Sequence, residues 1–298
     1  MSASITFAIP FYRNTNLLRI AIESAIEQRN EAWELLVCDD SGMDLQVEAM
    51  LEEVNDPRVR YIKNDSNLGM VATWNRCLSE STTDLVNLLH ADDRLLPNYV
   101  DVMLSLAERY PDVAAFFCDT EIIDANGAAR RSMADSIKQF LIPSGDDPEL
   151  VLQGEDAVTS LMKGYFIMTP TLCYRKSRIG ERRFDPEFMQ VQDLVFIIGL
   201  LLEGETVVGA KERAYAYRRH DESATSRQSE SMLRFDEEVV AFDRIADATE
   251  SKGWRRAAQV SRRKRIIKLH LLYRALRSAA RLQFGSSLGF LRYRLGIR

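Results

Sequence analysis

Apolar runs of four to six residues alternate with segments of helical spacing through the first 120 residues of the chain. The runs predict buried strands at residues 5–9, 35–38, 59–62, 85–89 and 113–118. Between them, apolar residues three and four positions apart predict helices, the first of which follows the capping residues 14–16. This alternation predicts right-handed βαβ units and an α/β fold, in which helices flank a mostly parallel sheet.

The pattern loosens after Asp119, and from residue 230 onward every segment has helical spacing. In between we predict helices at 155–162 and 192–203, a strand at 171–174, and two short strands within 207–219. We therefore expect one α/β domain over residues 1–225, divided into halves at 1–120 and 121–225. A helical carboxyl-terminal extension over residues 226–298 follows it.

The composition is that of an ordinary soluble globular protein, since 46% of the 298 residues are hydrophobic and 28% are charged. The four cysteines are scattered and show no CxxC spacing, which argues against a disulfide framework or a structural zinc site. The amino terminus does not resemble a signal peptide, and the longest apolar run, Leu194–Leu202, is half of the ~18 residues that span a bilayer. We therefore expect a cytoplasmic protein.

The charge is divided unevenly along the chain. The net charge is -5, but residues 251–298 hold 14 basic residues and no acidic one. The remaining 25 basic residues stand against 44 acidic ones, so the rest of the chain carries a net charge of -19. This division suggests an acidic body with a basic arm that meets an anionic surface.

Two pairs of adjacent carboxylates follow predicted strands. Asp39 and Asp40 close one apolar run, and Asp92 and Asp93 follow another. Because ligands bind at the carboxyl ends of strands in open α/β sheets, both pairs are expected at one crevice. Their mutual repulsion requires cations or hydrogen-bond donors, which predicts a metal together with a polar ligand. The alternatives are a simple turn at the first pair, and an ion pair with Arg94 or a helix cap for Asp93.

Six short sequence segments occur along the chain in a characteristic order. They are Ala8-Ile9-Pro10-Phe11-Tyr12, the strand ending in Asp39-Asp40-Ser41-Gly42, Asn67-Leu68-Gly69 with Ala72 and Asn75, Leu89-His90-Ala91-Asp92-Asp93, Gln192-Asp193, and Tyr217-Arg218-Arg219-His220. Their order and intervals resemble those of the inverting glycosyltransferases of family 2, which have the GT-A fold. The resemblance covers about residues 4–225 and implies that the α/β domain is a GT-A glycosyltransferase domain.

The resemblance implies a nucleotide-sugar site. Its candidate residues are Pro10, Tyr12, Asp39, Asp40, Asn67, Gly69, Asn75, Arg218 and Arg219. The Tyr12 ring can stack on a nucleobase, and the two arginines can stabilise phosphates. For Gly69 a simple helix start is the alternative, and for the arginines it is a solvated basic loop.

The resemblance also implies a divalent cation, Mn²⁺ or Mg²⁺, held by Asp92, His90 and His220. His90 stands where the family usually has an aspartate, and imidazole suits Mn²⁺ better than Mg²⁺. Strict metal dependence is therefore an open question, and an imidazole packed at the strand end is the alternative for His90. His220, on a loop between Arg219 and Asp221, can contact either the metal or the diphosphate.

Asp193 is the candidate general base, which takes the proton from the acceptor hydroxyl. An ordinary aspartate is ionised at neutral pH and needs no special tuning for this role. Gln192 replaces the acidic residue that usually precedes the base in the family. A helix N-cap before the apolar run is the alternative role for Asp193.

The basic arm is predicted to form an amphipathic helix from Ser261. Its apolar side comprises Ile266, Leu269, Leu272, Tyr273, Leu276 and Ala280, and basic residues lie opposite. One hypothesis is attachment to an anionic membrane surface, on the inner face of the cell membrane. The alternative is a helix that packs back on the domain, while the acidic body argues against a nucleic-acid partner.

The function predicted is transfer of a sugar from a nucleotide-sugar donor to an acceptor hydroxyl, with anomeric inversion. The resemblance implies a UDP-sugar more often than another donor, and a glycan or lipid-linked acceptor in bacterial surface polysaccharide synthesis. Two other readings stay open. A nucleotidyltransferase is disfavoured because residues 10–14 contain no glycine, whereas His90 and Gln192 are compatible with an inactive binding or scaffold subunit.

Overall fold

The computed structural model describes residues 4–43, 46–130, 147–219, 233–280, 282 and 284–296. Nine strands in this part of the chain form one sheet. They are β1 Ile5–Phe11, β2 Trp33–Asp39, β3 Val59–Lys63, β4 Leu85–Leu88, β5 Arg94–Leu95, β6 Ala115–Ile123, β7 Glu149–Leu152, β8 Cys173–Arg175 and β9 Val207–Arg218. The order is β3-β2-β1-β4-β8-β6-β9-β5, and β7 also pairs with β9. β1–β4, β6 and β9 share one direction, so the predicted mostly parallel α/β sheet is confirmed.

The described helices flank this sheet and continue beyond it. They are α1 Thr15–Ile26, α2 Val47–Val54, α3 Met70–Glu80, α4 Tyr99–Arg109, α5 Gly154–Lys163, α6 Lys176–Ile179, α7 Gln192–Leu202, α8 Leu233–Ser251, α9 Arg255–Arg263, α10 Arg265–Ala280 and α11 Phe284–Gly296. The Asn14 side chain caps α1 by accepting the Leu17 N–H at 3.2 Å, as the sequence predicts. Within the described residues, no helix is both long enough and apolar enough to cross a membrane.

The two faces of the sheet carry separate parts of the core. Along β1, Phe7 and Ile9 point to the face covered by α1 and α4, while Ala8 points to the face covered by α3, α5 and α7. Successive side chains of a strand point to opposite faces, and helices bury both faces of this sheet. This explains why the central strands are continuous apolar runs in the sequence. The polar residues at the strand ends are therefore the ones left for chemistry.

The region 207–219 departs from the prediction of two short strands. It forms a single strand, β9, whose register against β6 shifts between Cys118 and Thr120. Lys211 and Glu212 are exposed at this irregularity, and their polarity resembles that of a turn. β9 gains its length from several partners, since β6, β7 and β5 all pair with it. The sequence did not predict β5 or β7, because two to four residues are too few for a periodic signal.

The carboxyl-terminal helices join the core of the α/β body. Phe235 of α8, Leu271 of α10 and Phe290 of α11 belong to the same buried cluster as Ala8 of β1. α10 packs through Ile267, Leu271, Ala275 and Ser278, so the alternative of a helix packed on the domain is the one observed. Most of the residues that were predicted to form the apolar side of this helix do not lie on the side that packs against the domain. Leu269, Tyr273 and Leu276 are exposed by 60%, 55% and 63%.

Candidate active site

The carboxyl ends of three neighbouring parallel strands place polar side chains along one edge of the sheet. β1 lies between β2 and β4 and pairs in parallel with both. Tyr12 follows β1, Asp39 ends β2, and His90 and Asp92 follow β4. Strands β2 and β3 are added on one side of β1, and β4 is added on the other side. Open α/β sheets bind ligands at the point where the strand order reverses in this way. The two acidic pairs thus lie on either side of β1, at the expected edge.

The Asp40 carboxylate binds donors from its own chain. Its Oδ1 accepts the Asn64 amide at 2.6 Å and the Leu68 N–H at 2.7 Å. Its Oδ2 accepts the Gly69 N–H at 2.9 Å and the Asn67 amide at 3.1 Å. A carboxylate has about four acceptor positions, so these bonds fill it. Asp40 therefore organises the loop before α3, which contains two further candidates, Asn67 and Gly69.

Gly69 begins α3 in a backbone conformation that favours glycine, with φ 85°. Its carbonyl accepts the Thr73 N–H at 3.0 Å, so it is a helix start, as the alternative interpretation expects. The same residue also donates its N–H to Asp40. The two interpretations are compatible, because a helix N-terminus beside this loop is a favourable place for an anion.

Asp39 and Tyr12 differ in their exposure. Asp39 is 1% exposed; its Oδ1 accepts the Ser41 N–H at 2.8 Å, and its Oδ2 accepts the Tyr61 hydroxyl at 2.7 Å. Tyr12 is 45% exposed, and the Arg13 guanidinium lies 4.4 Å from the centre of its ring. Its ring therefore has a face available for stacking on a planar ligand. Pro10 lies within β1, next to Cys38 of β2.

Asp93 is buried and has specific partners within the chain. Its Oδ1 accepts the Arg218 N–H at 2.7 Å, and its Oδ2 accepts the Tyr215 hydroxyl at 3.1 Å. Burial raises the pKa of Asp93 well above its usual range, and the nearby Asp92 charge raises it further. The proposed ion pair with Arg94 is not formed, because Arg94 pairs with Glu121 at 3.6 Å.

His90 packs against an aromatic ring and faces several carboxylates. Its ring centre lies 5.5 Å from that of Trp74, and its Nδ1 lies 3.7 Å from Asp93 Oδ2. Burial lowers the pKa of His90, against the charges of Asp92 and Asp193, which raise it. The Nε2 atom is buried and has no hydrogen-bond partner among the described residues. A neutral imidazole with an unused nitrogen is a suitable metal ligand.

The residues present fit a divalent cation. His90, Asp92 and Asp93 each offer one ligand atom, and these atoms lie within 4.8 Å of one another. Asp93 is already engaged by two donors, which leaves His90 and Asp92 as the better candidates. A set of one imidazole and carboxylates suits Mn²⁺, whereas Mg²⁺ prefers oxygen ligands alone. The third predicted ligand, His220, lies outside the described residues.

Asp193 lies in the first turn of α7 and is 9% exposed. It is not the N-cap, since Val191 holds that position, so the capping alternative is not observed. One of its oxygens, Oδ2, accepts the Thr169 hydroxyl. Its negative charge raises the pKa of both His90 and Tyr165. The proposed base and the proposed metal ligands therefore share one region of the sheet edge.

Arg218 and Arg219 have different environments. Arg218 is 4% exposed and donates from Nε to the Asp92 carbonyl at 2.7 Å, and from a terminal nitrogen to the carbonyls of Asp124 and Ala125. Its guanidinium thus fixes the backbone beside Asp92, and a solvated loop is not what the structure shows at this position. The Arg219 guanidinium lies 5.9 Å from the Tyr217 ring centre.

Asn75 links two distant segments. Its side-chain amide donates to the Phe184 carbonyl at 2.9 Å and accepts the Phe184 N–H at 2.8 Å. Its amide is therefore used in fixing the segment that leads to Asp193. Contact with a nucleotide stays a prediction for this residue.

Two neighbours of Asp193 were not predicted. Thr169 is the hydroxyl donor to its carboxylate, and Tyr165 has a buried hydroxyl with no partner within the described chain. Burial raises the pKa of Tyr165 well above its usual range, and the Asp193 charge adds to the effect. Both residues lie in an irregular stretch after α5, where no periodicity or motif marks them. Only the folded chain brings them to the base.

Two of the solved structures that are similar to this chain contain a nucleotide sugar. The structure of S. aureus TarS 1-349 in complex with UDP-GlcNAc has a TM-score of 0.63 and 12% sequence identity, and the match covers 98% of this chain and 92% of that chain. The mannosyltransferase PcManGT from Pyrobaculum calidifontis, in complex with GDP-Man and Mn2+, has a TM-score of 0.61 and 13% identity over 99% and 84%. These similarities confirm the predicted GT-A fold.

One curated relative is the UDP-Glc:alpha-D-GlcNAc-diphosphoundecaprenol beta-1,3-glucosyltransferase WfgD from Escherichia coli. It is 24% identical over 130 residues, which are 44% of this chain and 51% of that protein. This chain spans less than two thirds of the length of the curated relatives that it matches.

The profile of glycosyl transferase family 2 matches residues 6–165, which is more than half of the chain. The matched segment includes both acidic pairs and the strands that precede them, β2 and β4. The chain therefore belongs to glycosyl transferase family 2.

Proposed function

We propose that the chain transfers a sugar from a nucleotide diphosphate sugar to an acceptor hydroxyl, with inversion at the anomeric carbon. One observation carries the proposal. Thr169 donates to the Asp193 carboxylate, and the carbonyl of the next residue, Pro170, accepts the side-chain amide of Asn87 in β4 at 2.9 Å, three residues before His90 of the cluster with Asp92 and Asp93. A base and a cation site are thus close enough to serve one small substrate. We assign this activity to residues 1–225, with residues 226–298 as a helical extension.

The proposed donor is a UDP-sugar. The structure of TarS contains UDP-GlcNAc, and WfgD is named for the donor UDP-Glc, whereas the structure of PcManGT contains GDP-Man. The proposed stacking surface is Tyr12, and the buried Asp39 offers acceptor positions for a base N–H or ribose hydroxyl. Asp40, Asn67 and Gly69 support this site by shaping the loop before α3. The acceptor positions of the Asp40 carboxylate are occupied by donors of this chain, among them the Leu68 and Gly69 N–H groups.

A divalent cation would be held by His90 and the Asp92 carboxylate, with His220 as a further candidate. When bound, it neutralises the negative charge that develops on the departing nucleoside diphosphate. Arg218 fixes the backbone at Asp92 through the bond to its carbonyl. The chain's own contribution is therefore a pre-formed arrangement of ligands, with one ligand anchored by a buried arginine.

Asp193 is the proposed general base. The acceptor oxygen bonds to the anomeric carbon while the bond from that carbon to the diphosphate oxygen breaks, and the acceptor proton passes to Asp193. Attack on the face opposite the leaving group inverts the anomeric configuration. The hydrogen bond from Thr169 fixes the orientation of the carboxylate, which keeps one oxygen free of that bond for the acceptor.

The proposed acceptor is a glycan, carried on a lipid, in the synthesis of bacterial surface polysaccharide. WfgD is named for an acceptor sugar that is linked to diphosphoundecaprenol. Other relatives are named for colanic acid and succinoglycan biosynthesis. An acceptor of this kind lies in a membrane. The basic carboxyl-terminal helices, which contain no acidic residue after Glu250, suit an anionic membrane surface as a partner.

The test is the release of nucleoside diphosphate from UDP-glucose, UDP-N-acetylglucosamine and GDP-mannose, with and without Mn²⁺. We expect turnover with at least one uridine donor, and a fall of about a thousandfold for Asp193→Asn, the size expected for loss of a general base. Nucleotide binding by this variant should be unchanged. Asp112→Asn, an exposed aspartate after α4, is the matched control. Full turnover by Asp193→Asn would overturn the base assignment, and no turnover with any donor would favour the inactive scaffold.

A further inference from the structure

α10 has two apolar faces, and only one of them is covered. Ile267, Leu271, Ala275 and Ser278 are buried against the rest of the protein. Leu269, Tyr273, Leu276 and Ala280 are exposed, and we call these four residues the exposed apolar face. At about 100° per residue they fall within an arc of about 60°, on the side of the helix opposite the packed residues. The packing of α10 on the domain therefore leaves a second apolar stripe without a partner in the described chain.

Arginines border the exposed apolar face on both sides. Arg265 and Arg277 are exposed, whereas the preceding Arg262 and Lys264 form ion pairs with Asp247 and Asp243. α11 repeats the arrangement, because Leu288 and Leu295 are exposed by 49% and 80% and the exposed Arg292 lies between them. Residues seven apart lie on the same side of a helix. The two helices thus present leucine and arginine together to the solvent.

The uneven distribution of charge along the chain determines which side of the protein faces an anionic surface. Residues 251–298 contain 14 basic and no acidic residues, while the rest of the chain carries a net charge of -19. An anionic surface attracts these helices and repels the body, so it orients the protein with α10 toward itself. A second copy of this chain is a poorer occupant. A stable dimer needs about 800 Å² from each partner, and one narrow stripe cannot supply it.

We propose that the exposed apolar face binds an anionic lipid bilayer, with its leucines in the acyl boundary and its arginines at the phosphates. Leucine and tyrosine on one face with arginine at its borders is the composition of helices that lie in the membrane interface. Because α10 is already folded and anchored by its opposite face, binding orders no new helix. The surface extends the proposed function, since it brings the active site to a lipid-linked acceptor.

The test uses the full chain and vesicles of phosphatidylcholine or phosphatidylglycerol, without donor or acceptor. The chain should co-sediment with phosphatidylglycerol vesicles and remain in solution with phosphatidylcholine. The double variant Leu269→Ser, Leu276→Ser should bind about tenfold more weakly, since it removes two apolar side chains. Its melting temperature should be unchanged, because both leucines are exposed. Ile20→Ser on α1, at the other face of the sheet, is the matched control and should bind normally.

A second pair of variants separates charge from insertion. Arg265→Gln and Arg277→Gln should each weaken binding by about fivefold, and the loss should shrink as salt rises. If the serine variant binds as well as the unchanged chain, the surface is a general polyanion site and the proposal is wrong. It is equally wrong if the serine substitutions dissociate a dimer seen by light scattering. Neither result affects sugar transfer from soluble donors, which tests the proposed function independently.

Discussion

The backbone N–H of Gly69 donates to Asp40 Oδ2 at 2.9 Å, which joins the end of β2 to the start of α3. Three further donors fill the same carboxylate. Asp40, the second residue of the first acidic pair, therefore organises the loop that precedes α3. This relationship leads to the first of four predictions.

Replacement of Asp40 by Asn should destabilise the fold. Each carboxylate oxygen accepts two donors, so the new amide nitrogen faces two N–H groups wherever it points. We expect a loss of about 3 kcal/mol in the free energy of unfolding, the scale of buried charged acceptors that lose their bonds. Urea denaturation of the variant measures it. Asp65→Asn, an exposed neighbour in the sequence, is the control, and equal stabilities of the two variants would contradict the prediction.

Replacement of His90 by Asp should change the preferred metal. The substitution exchanges an imidazole for a carboxylate in the cluster with Asp92 and Asp93, so all candidate ligands become oxygen. We expect the unchanged chain to be stabilised by Mn²⁺ more than by Mg²⁺ in the presence of UDP, and the variant to lose this difference. Thermal melting with each ion gives the result. An unchanged ratio between the two ions would remove His90 from the ligand set.

Replacement of Tyr165 by Phe should not destabilise the protein. The Tyr165 hydroxyl is buried with no partner in the described chain, so its removal breaks no hydrogen bond. Tyr99 offers the matched comparison, because its buried hydroxyl donates to the Thr171 carbonyl at 3.0 Å. We expect Tyr99→Phe to cost about 1 to 2 kcal/mol and Tyr165→Phe to cost less than half of that. Equal losses in urea denaturation would show that Tyr165 has a partner.

His270 should make the carboxyl-terminal helices sensitive to acid. Burial lowers the pKa of His270 to about 4, with the nearby Arg234 and Arg274 charges adding to the effect. The unfolded chain, with a histidine pKa of about 6.5, binds the proton more readily. Its contribution to stability is therefore complete above pH 6.5 and is lost progressively as the pH falls toward 4.

The measurement compares the unchanged chain with His270→Gln, which cannot titrate in this range. The difference between their unfolding free energies should depend on pH between about 6.5 and 4 and should be constant above that range. A difference that is constant from pH 4 to 8 would contradict the assigned pKa direction.

The sequence predicts the strands and the edge of the sheet well, for a physical reason. Buried parallel strands must be apolar throughout, so the polar residues Asp39 and Asp92 mark where they end. The partners of these residues are less predictable. Asp40 and Arg218 were expected to bind ligand, yet their bonds to Gly69 and to the Asp92 carbonyl depend on loops that carry no periodic signal.

The carboxyl-terminal helix shows a different limit of the sequence. A search for one apolar stripe selects Leu269, Tyr273 and Leu276, because they are spaced as one helical face. The structure packs Ile267 and Leu271 instead and exposes the others. A helix with apolar residues on two faces has no single periodicity that identifies the packed one. Tertiary packing makes that choice.

The clamp between Asn75 and Phe184 has a consequence for how the two halves of the enzyme respond to a substrate. α3 begins at the loop organised by Asp40, and its residue Asn75 is hydrogen-bonded to Phe184 in the segment before Asp193. The helix therefore connects that loop to that segment. One helix therefore sets the spacing between the loop that Asp40 organises and the segment that leads to Asp193, and a change at either end of α3 is felt at the other.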